Sequence, residues 1–264
     1  DVNDDGQVDM SDPISSLRYL FLGGEQPQNP FPEAGYDITR DSLDCKGQSD
    51  LEGRIITQKE IPLVITESGT EDNPLLYVLG EDVMADGTAI TLQGTNNVIL
   101  DGNEMKITYG INGNNAIGIY AVNANDIVLD NLLVEAGNLQ GHSNIAIFLD
   151  NVINGVVKDN MIATSGNDGS GIVLFKNTRS SIKNNNVVTG GDASDSIYVI
   201  LSEDSSVEDN LITTSGHFSG GIHARNNMNL RMEQNAITTS GFMAHGIYLF
   251  ENKHANLIAN KIIT

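Results

Sequence analysis

The 264-residue sequence predicts an all-β protein built as a right-handed parallel β-helix, a solenoid of about 25 residues per coil, and three observations carry that prediction. The first is a repeat. Ile119, Ile147, Ile172, Ile197, Ile222 and Ile247 each open a short apolar run, and from Ile147 onward they recur at a constant step of twenty-five, after a first step of twenty-eight. The second is a column of turn amides, Asn131, Asn160, Asn186, Asn210, Asn235 and Asn260, each followed two residues on by Leu, Ile or Val. The third is what the repeats contain: β-branched runs of three to five residues separated by Asn, Gly, Ser and Asp, with no apolar pattern long enough for a helix. A fixed period of this size means a solenoid or a propeller. A propeller blade needs roughly 40 residues for its four strands, whereas the period found here suffices for three short strands and three turns.

Within each coil the side chains alternate, so Ile119 and Ala121 are expected to face the core and Tyr120 solvent. A buried amide can bond the same amide one coil up, so the asparagine column is expected to form an inward ladder. Asn177 is expected outside it and exposed, and Asp130, Asp159 and Asp209 are expected to satisfy turn amides beside it.

The sequence from Tyr77-Val78-Leu79-Gly80-Glu81-Asp82-Val83 through Ala89-Ile90-Thr91-Leu92, Asn97-Val98-Ile99-Leu100-Asp101-Gly102-Asn103 and Gly118-Ile119-Tyr120 resembles the opening coils of the NosD and pectate-lyase-like superfamily. The resemblance covers residues 76–264. It implies the fold and leaves the function open, since that superfamily includes polysaccharide lyases, hydrolases, epimerases, adhesins and proteins without known activity.

Three parts are expected in order: a calcium loop and helix at 1–24, a linker at 25–50, and the solenoid at 51–264. Residues 1–12 place oxygen side chains at loop positions 1, 3, 5, 9 and 12 and Gly6 at the sixth, the pattern of an EF-hand-type calcium loop. Asp1, Asn3, Asp5 and Asp12 would supply side-chain oxygens to Ca2+, Gln7 its carbonyl, and Asp9 a direct or water-mediated contact. A helix follows, with Pro13 in its first turn, an apolar face of Ile14, Leu17, Leu20 and Phe21, and a stop at Gly23-Gly24.

Aspartate at loop position 12 resembles dockerin modules. The resemblance implies a second half upstream and a cohesin-like protein as partner. Residues 31–45 also resemble the segment after dockerin-like repeats in secreted proteins of some environmental bacteria, where a cysteine stands at the position of Ala34. Cys45, the single cysteine, has no partner for an internal disulfide. Prolines and acids between Gln26 and Ser49 mark the linker, and residues 54–57 and 63–66 read as strands that begin or cap the solenoid.

The net charge of -21 and the absence of a basic stripe argue against nucleic acid, and no run reaches membrane-spanning length. The same charge opposes direct binding of a polyanion unless calcium or a local basic patch intervenes. The chain begins on the metal loop without methionine and stops in mid-coil at Lys261-Ile262-Ile263-Thr264, so it is expected to be an internal piece of a longer secreted, extracellular bacterial protein.

No nucleophile elbow, zinc signature, phosphate loop or dinucleotide fingerprint occurs, so chemistry must be sought in the columns. The outward column after each inward isoleucine runs Tyr120, Phe148, Val173, Tyr198, His223, Tyr248, and the next runs Val122, Asp150, Phe175, Ile200, Arg225, Phe250. A turn column runs His142, Asn167, Asp192, His217, Phe242. Together they converge on Asp192, Asp195, Tyr198, His217, His223, Arg225, His245 and Tyr248. As a saccharide groove, His217, His223 and Arg225 are the catalytic candidates, and Tyr198, Tyr248, Asp192 and Asp195 would bind substrate. The enzyme so implied is a polysaccharide lyase or glycoside hydrolase acting on extracellular polysaccharide. The rival reading is a non-enzymatic surface, adhesion or scaffold protein in which these residues are sheet-stabilising ladders.

Overall fold

A computed structural model describes residues 53–138 and 141–264. The calcium loop of Asp1, Asn3, Asp5, Gln7, Asp9 and Asp12, its helix, the linker and Cys45 lie outside the described residues.

Within the described residues, 25 strands wind into three parallel sheets, with a single 3-10 turn at Gln58–Glu60. From Leu63–Ile65 onward the strands visit the sheets in a fixed order, and each round is one coil. There are eight such rounds, in the right-handed sense that parallel crossovers adopt. Sheet I contains Ile117–Val122, Ile145–Asp150, Ser170–Phe175, Ile197–Ile200, Gly220–Arg225 and His245–Phe250, on coils 3 to 8. Sheet II holds the short strands such as Val156–Lys158, and sheet III those such as Met161–Thr164. The first strand, Arg54–Ile56, pairs with Leu75–Leu79 at the start of sheet II, as expected of a segment that begins the solenoid.

Pairing sets Ile119 against Ile147, Ile147 against Ile172, and so on to Ile247, the repeat found in the sequence. The inward positions stack as continuous columns: Ile147, Ile172, Ile197 and Ile222 from sheet I, Val157, Ile182, Val207 and Met232 from sheet II, and Ile162, Val187, Ile212 and Ile237 from sheet III, all buried. β-Branched side chains suit this packing because their restricted rotamers fit a pleated, fully covered surface. On coil 8 the inward Leu249 and Leu257 are exposed, with no further described coil over them.

The amide ladder exists, with two members changed. It runs Asn160, Asn185, Asn210, Asn235, Asn260: each Nδ2 donates to the next Oδ1 at 2.8–3.0 Å, and each backbone N–H to the same oxygen. Asn186 is instead the first residue of a sheet III strand, paired with Met161 and Leu211. Asn131 is exposed in the left-handed region, φ 51°, and it is Leu132 N–H that donates to Asn160 Oδ1.

Asn177 is not exposed but buried, in a second ladder at the turn from sheet I to sheet II. Its N–H donates to Ser202 Oγ, that of Ser202 to Asn227 Oδ1, and that of Asn227 to Asn252 Oδ1. The pair Ser180–Ser205 adds a second rung within the same connection, and Ser194–Ser219 extends the scheme to the turn from sheet III back to sheet I. The aspartates also differ from expectation. Asp130 pairs with Lys158, while Asp159 and Asp209 occupy left-handed turn positions at φ 55°.

Candidate functional site

Three outward columns cover sheet I. Pairing aligns Ile117, Ile145, Ser170 and then, one coil apart, Gly220 with His245, and Asp195 fills the place between Ser170 and Gly220. The second column is Tyr120, Phe148, Val173, Tyr198, His223, Tyr248, and the third Val122, Asp150, Phe175, Ile200, Arg225, Phe250, as the sequence predicts.

His223 is the centre of the late coils. Its Nδ1 lies 2.8 Å from Asp195 Oδ2, and the other carboxylate oxygen accepts Gly220 N–H at 2.7 Å. Both side chains are largely sheltered, 25% and 17% exposed. The pair spans two coils, and glycine at position 220 makes that reach feasible: a Cβ there would stand 2.7 Å from Asp195 Oδ1. A carboxylate at Nδ1 fixes the ring's orientation and favours the tautomer with the proton on Nδ1, which leaves Nε2 as the basic nitrogen. Nε2 has no hydrogen-bond partner among the described residues. The imidazole lies between two rings of its own column, 4.6 Å from Tyr198 in a tilted stack and 5.0 Å from Tyr248 edge-on, with His245 5.4 Å from Tyr248.

Arg225, two residues beyond His223, points out on the same strand, and its guanidinium lies 5.3 Å from the Phe250 ring centre. Asp192 and His217 sit in the turn before the strands. His217 N–H donates to Asp192 Oδ1 at 2.8 Å, and His217 Nδ1 accepts Phe242 N–H at 2.9 Å. Their contacts run along the turn, whereas Asp195, Tyr198, His223, Tyr248 and His245 touch one another. Among the described residues no three His, Cys, Asp or Glu side chains are grouped to hold a metal ion.

Earlier coils carry a different set. Tyr120 donates to Asp150 Oδ2 at 3.2 Å and packs against Phe148 at 5.3 Å. Burial, then the adjacent Asp150 carboxylate, holds the Tyr120 hydroxyl above its ordinary pKa, so it remains a donor.

Sequence reasoning missed Gly220, whose lack of a side chain makes the dyad possible, and Lys176, whose ammonium lies 4.8 Å from the Phe175 ring centre. Gly220 stands one full repeat after Asp195, so the period itself held the signal. Lys176 follows its strand and escapes any outward column.

No family model matches the chain, and comparison with curated proteins finds no match. Among solved structures the chain is similar to the periplasmic alginate epimerase AlgG, at 14% identity and a TM-score of 0.53 over 74% of this chain and 52% of that one. A mutant of the same epimerase aligns at 14% identity and 0.54, over 76% and 55%. An alginate lyase from Paenibacillus sp. aligns at 12% identity and 0.40, over 74% and 88%. The chain spans about half the length of the epimerase, and at such identity the likeness concerns the fold.

Proposed function

We propose that this chain contacts extracellular polysaccharide through the outer face of sheet I on its late coils, with His223 as the reactive group. The observation that carries the reading is the Asp195–His223 pair, held at 2.8 Å between Tyr198 and Tyr248. Aromatic faces stack on the apolar faces of sugar rings. An oriented imidazole serves as general base, and Arg225 can neutralise a uronate carboxylate.

Of the two reaction classes the sequence suggests, this set suits a lyase. In β-elimination the base takes the proton α to the uronate carboxyl, the freed pair forms the ring double bond, and the glycosidic oxygen departs with a proton from a flanking tyrosine hydroxyl. Hydrolysis needs two carboxyl groups facing each other across the bond. Here Asp195 and Asp192 each accept a backbone N–H, and Asp195 is also engaged by His223. The proposal extends to residues 1–24 as a dockerin-like module in which Asp1, Asn3, Asp5, Gln7, Asp9 and Asp12 hold Ca2+ and through which a cohesin-like protein is recruited. That part rests on loop spacing alone.

The test is incubation of the full chain with a panel of polysaccharides, following unsaturated-product absorbance and reducing ends in parallel. Unsaturated product that disappears in His223→Ala supports the lyase; reducing ends without unsaturation support a hydrolase. Binding without either product supports the rival adhesion or scaffold role.

A further inference from the structure

We propose that sheet I is matched to a polysaccharide in which acidic and neutral sugars alternate. This rests on the reading that sheet I binds polysaccharide, and it names the substrate class. The third outward column and the residue that folds over it carry the inference.

On coil 5 the Lys176 ammonium lies over Phe175, on coil 6 the column position is Ile200, and on coil 7 it is Arg225, whose guanidinium lies beside Phe250 of coil 8. Cation, apolar side chain, cation is therefore the order along the solenoid axis. The Arg225–Phe250 distance of 5.3 Å is close to one coil spacing, about 4.8 Å, so the guanidinium stays near the level of its own coil.

Most carboxylates on this side have a hydrogen-bonding partner: Asp150 accepts the Tyr120 hydroxyl, Asp195 is engaged by His223 and Gly220 N–H, Asp192 accepts His217 N–H, and Asp168 stands 3.9 Å from His142, while Glu251, next to Phe250 on coil 8, is exposed. Neither Lys176 nor Arg225 forms an ion pair with a carboxylate among the described residues. Both are exposed, and both are held by a ring rather than by an acid, which keeps them in place without neutralising them. In a chain of net charge -21, two uncompensated cations on one face are a recognition feature for anions.

A coil spacing of about 4.8 Å matches the advance of one pyranose along an extended chain. A polymer lying along the axis would thus present one sugar per coil. Lys176 and Arg225 would meet carboxylates two sugars apart, and the sugar between them would rest on Ile200 and Tyr198. A uronate at that middle place finds no cation, whether its carboxylate faces Ile200 and the Asp195 carboxylate on the same coil or turns away into the negative field of the chain. The arrangement disfavours a homopolyuronate and favours one acid per disaccharide. The carboxylate at Arg225 belongs to the sugar nearest His223, two residues away on the strand.

The experiment is calorimetric titration of the full chain with three hexasaccharides: alternating N-acetylhexosamine and hexuronate, all hexuronate, and all neutral hexose. The alternating ligand is expected to bind at least about fivefold tighter than either other. Lys176→Ala and Arg225→Ala should each weaken it about tenfold and leave the neutral ligand unchanged, with unaltered melting temperatures. Ile200→Lys should improve the all-hexuronate ligand selectively. Equal or tighter binding of the all-hexuronate or neutral ligand by the parent chain overturns the alternation. If that binding is still lost in Tyr248→Ala, polysaccharide recognition by sheet I survives. Failure of all three ligands to bind overturns both.

Discussion

The first three coils and the last five solve the same packing problem in different ways. In the early coils Leu63 pairs with Ile90, Ile90 with Ile119 and Ile119 with Ile147, three unequal steps, each longer than any that follows. These coils fill their turns individually, with a fully buried Tyr109 and a buried Asp101, while buried hydroxyls without a partner among the described residues occur in both regions, at Thr95 and Tyr109 and again at Thr164, Ser165 and Thr214. From Ile147 the step is constant, and the turns are joined by continuous amide and hydroxyl ladders. A constant step is what lets a side chain meet its own equivalent one coil away. Once the interior repeats, the outer face is free to vary, and Asp195, His223 and Arg225 stand on these regular coils.

The sharpest way to break this comparison is to cut a ladder. Asn210→Ala removes the acceptor of Asn185 N–H and Nδ2 and the donor to the Ile182 and Glu208 carbonyls. Leaving those buried groups unpaired should cost about 1–3 kcal/mol, so a loss of about 2 kcal/mol would lower the melting temperature by about 4–8 °C. Asn177→Ala should cost a similar amount, whereas Asn186→Ala should stay within about 0.5 kcal/mol. Equal melting temperatures for the Asn210 and Asn186 variants would show that the ladder is not what holds the late coils.

A smaller change should uncouple the outer face from the interior. Gly220→Ala places a methyl against Asp195 Oδ1 and should push the carboxylate off His223 Nδ1, while stability changes by about 1 kcal/mol or less. Nitrogen-15 NMR of the imidazole reads the outcome directly. An unchanged Nδ1–H signal would mean that the pair does not depend on the glycine.

Which features were legible follows from the same contrast. The inward isoleucines and the outward columns were readable because each recurs in one register. The amide ladder was also readable, yet among Asn184, Asn185 and Asn186 the strict period counted from Asn160 selects Asn185, and the choice of Asn186 followed the next apolar residue instead. The ladder through Asn177, Ser202, Asn227 and Asn252 was hidden because a serine interrupts its asparagines, although both side chains present an oxygen to the equivalent N–H. The cluster around His223 was visible as a convergence of types. That Asp195 rather than His217 engages it depends on Gly220, one repeat after Asp195 in the same column, and on His223 in the next column, so the pair shows only when the two columns are set side by side.

In the early coils the expected changes are smaller and of opposite sign. Tyr109 is wholly buried, and burial pushes its hydroxyl far above the ordinary tyrosine range. Because that hydroxyl has no partner among the described residues, Tyr109→Phe should raise stability by up to about 1 kcal/mol. A lower unfolding free energy in urea would show that the hydroxyl is satisfied by a group such as a buried water.

Asp101 should give the smallest effect and the one that depends on pH. Its carboxylate is buried on sheet II, and desolvation, reinforced by the neighbouring Asp130, raises its pKa against the opposing pull of Asn103 N–H, the Asn131 side chain and Lys158. A carboxyl whose folded pKa is raised binds more protons in the folded state. Between its unfolded and folded pKa values, stability therefore falls as pH rises, and above the folded value the loss remains constant. Asp101→Asn removes the charge while an amide oxygen can still accept Asn103 N–H, a bond of 2.8 Å in the parent chain. The variant should be the more stable protein at neutral pH, by no more than about 1 kcal/mol, and its advantage should shrink as pH drops through the folded pKa of Asp101. Urea unfolding of both proteins across pH 4 to 8, a range set by ordinary carboxylate titration, measures this directly. An advantage that does not vary with pH would assign it to packing rather than to the buried charge, and an Asp101→Asn protein less stable at neutral pH would mean that the pairing of Asp101 with its turn outweighs its desolvation.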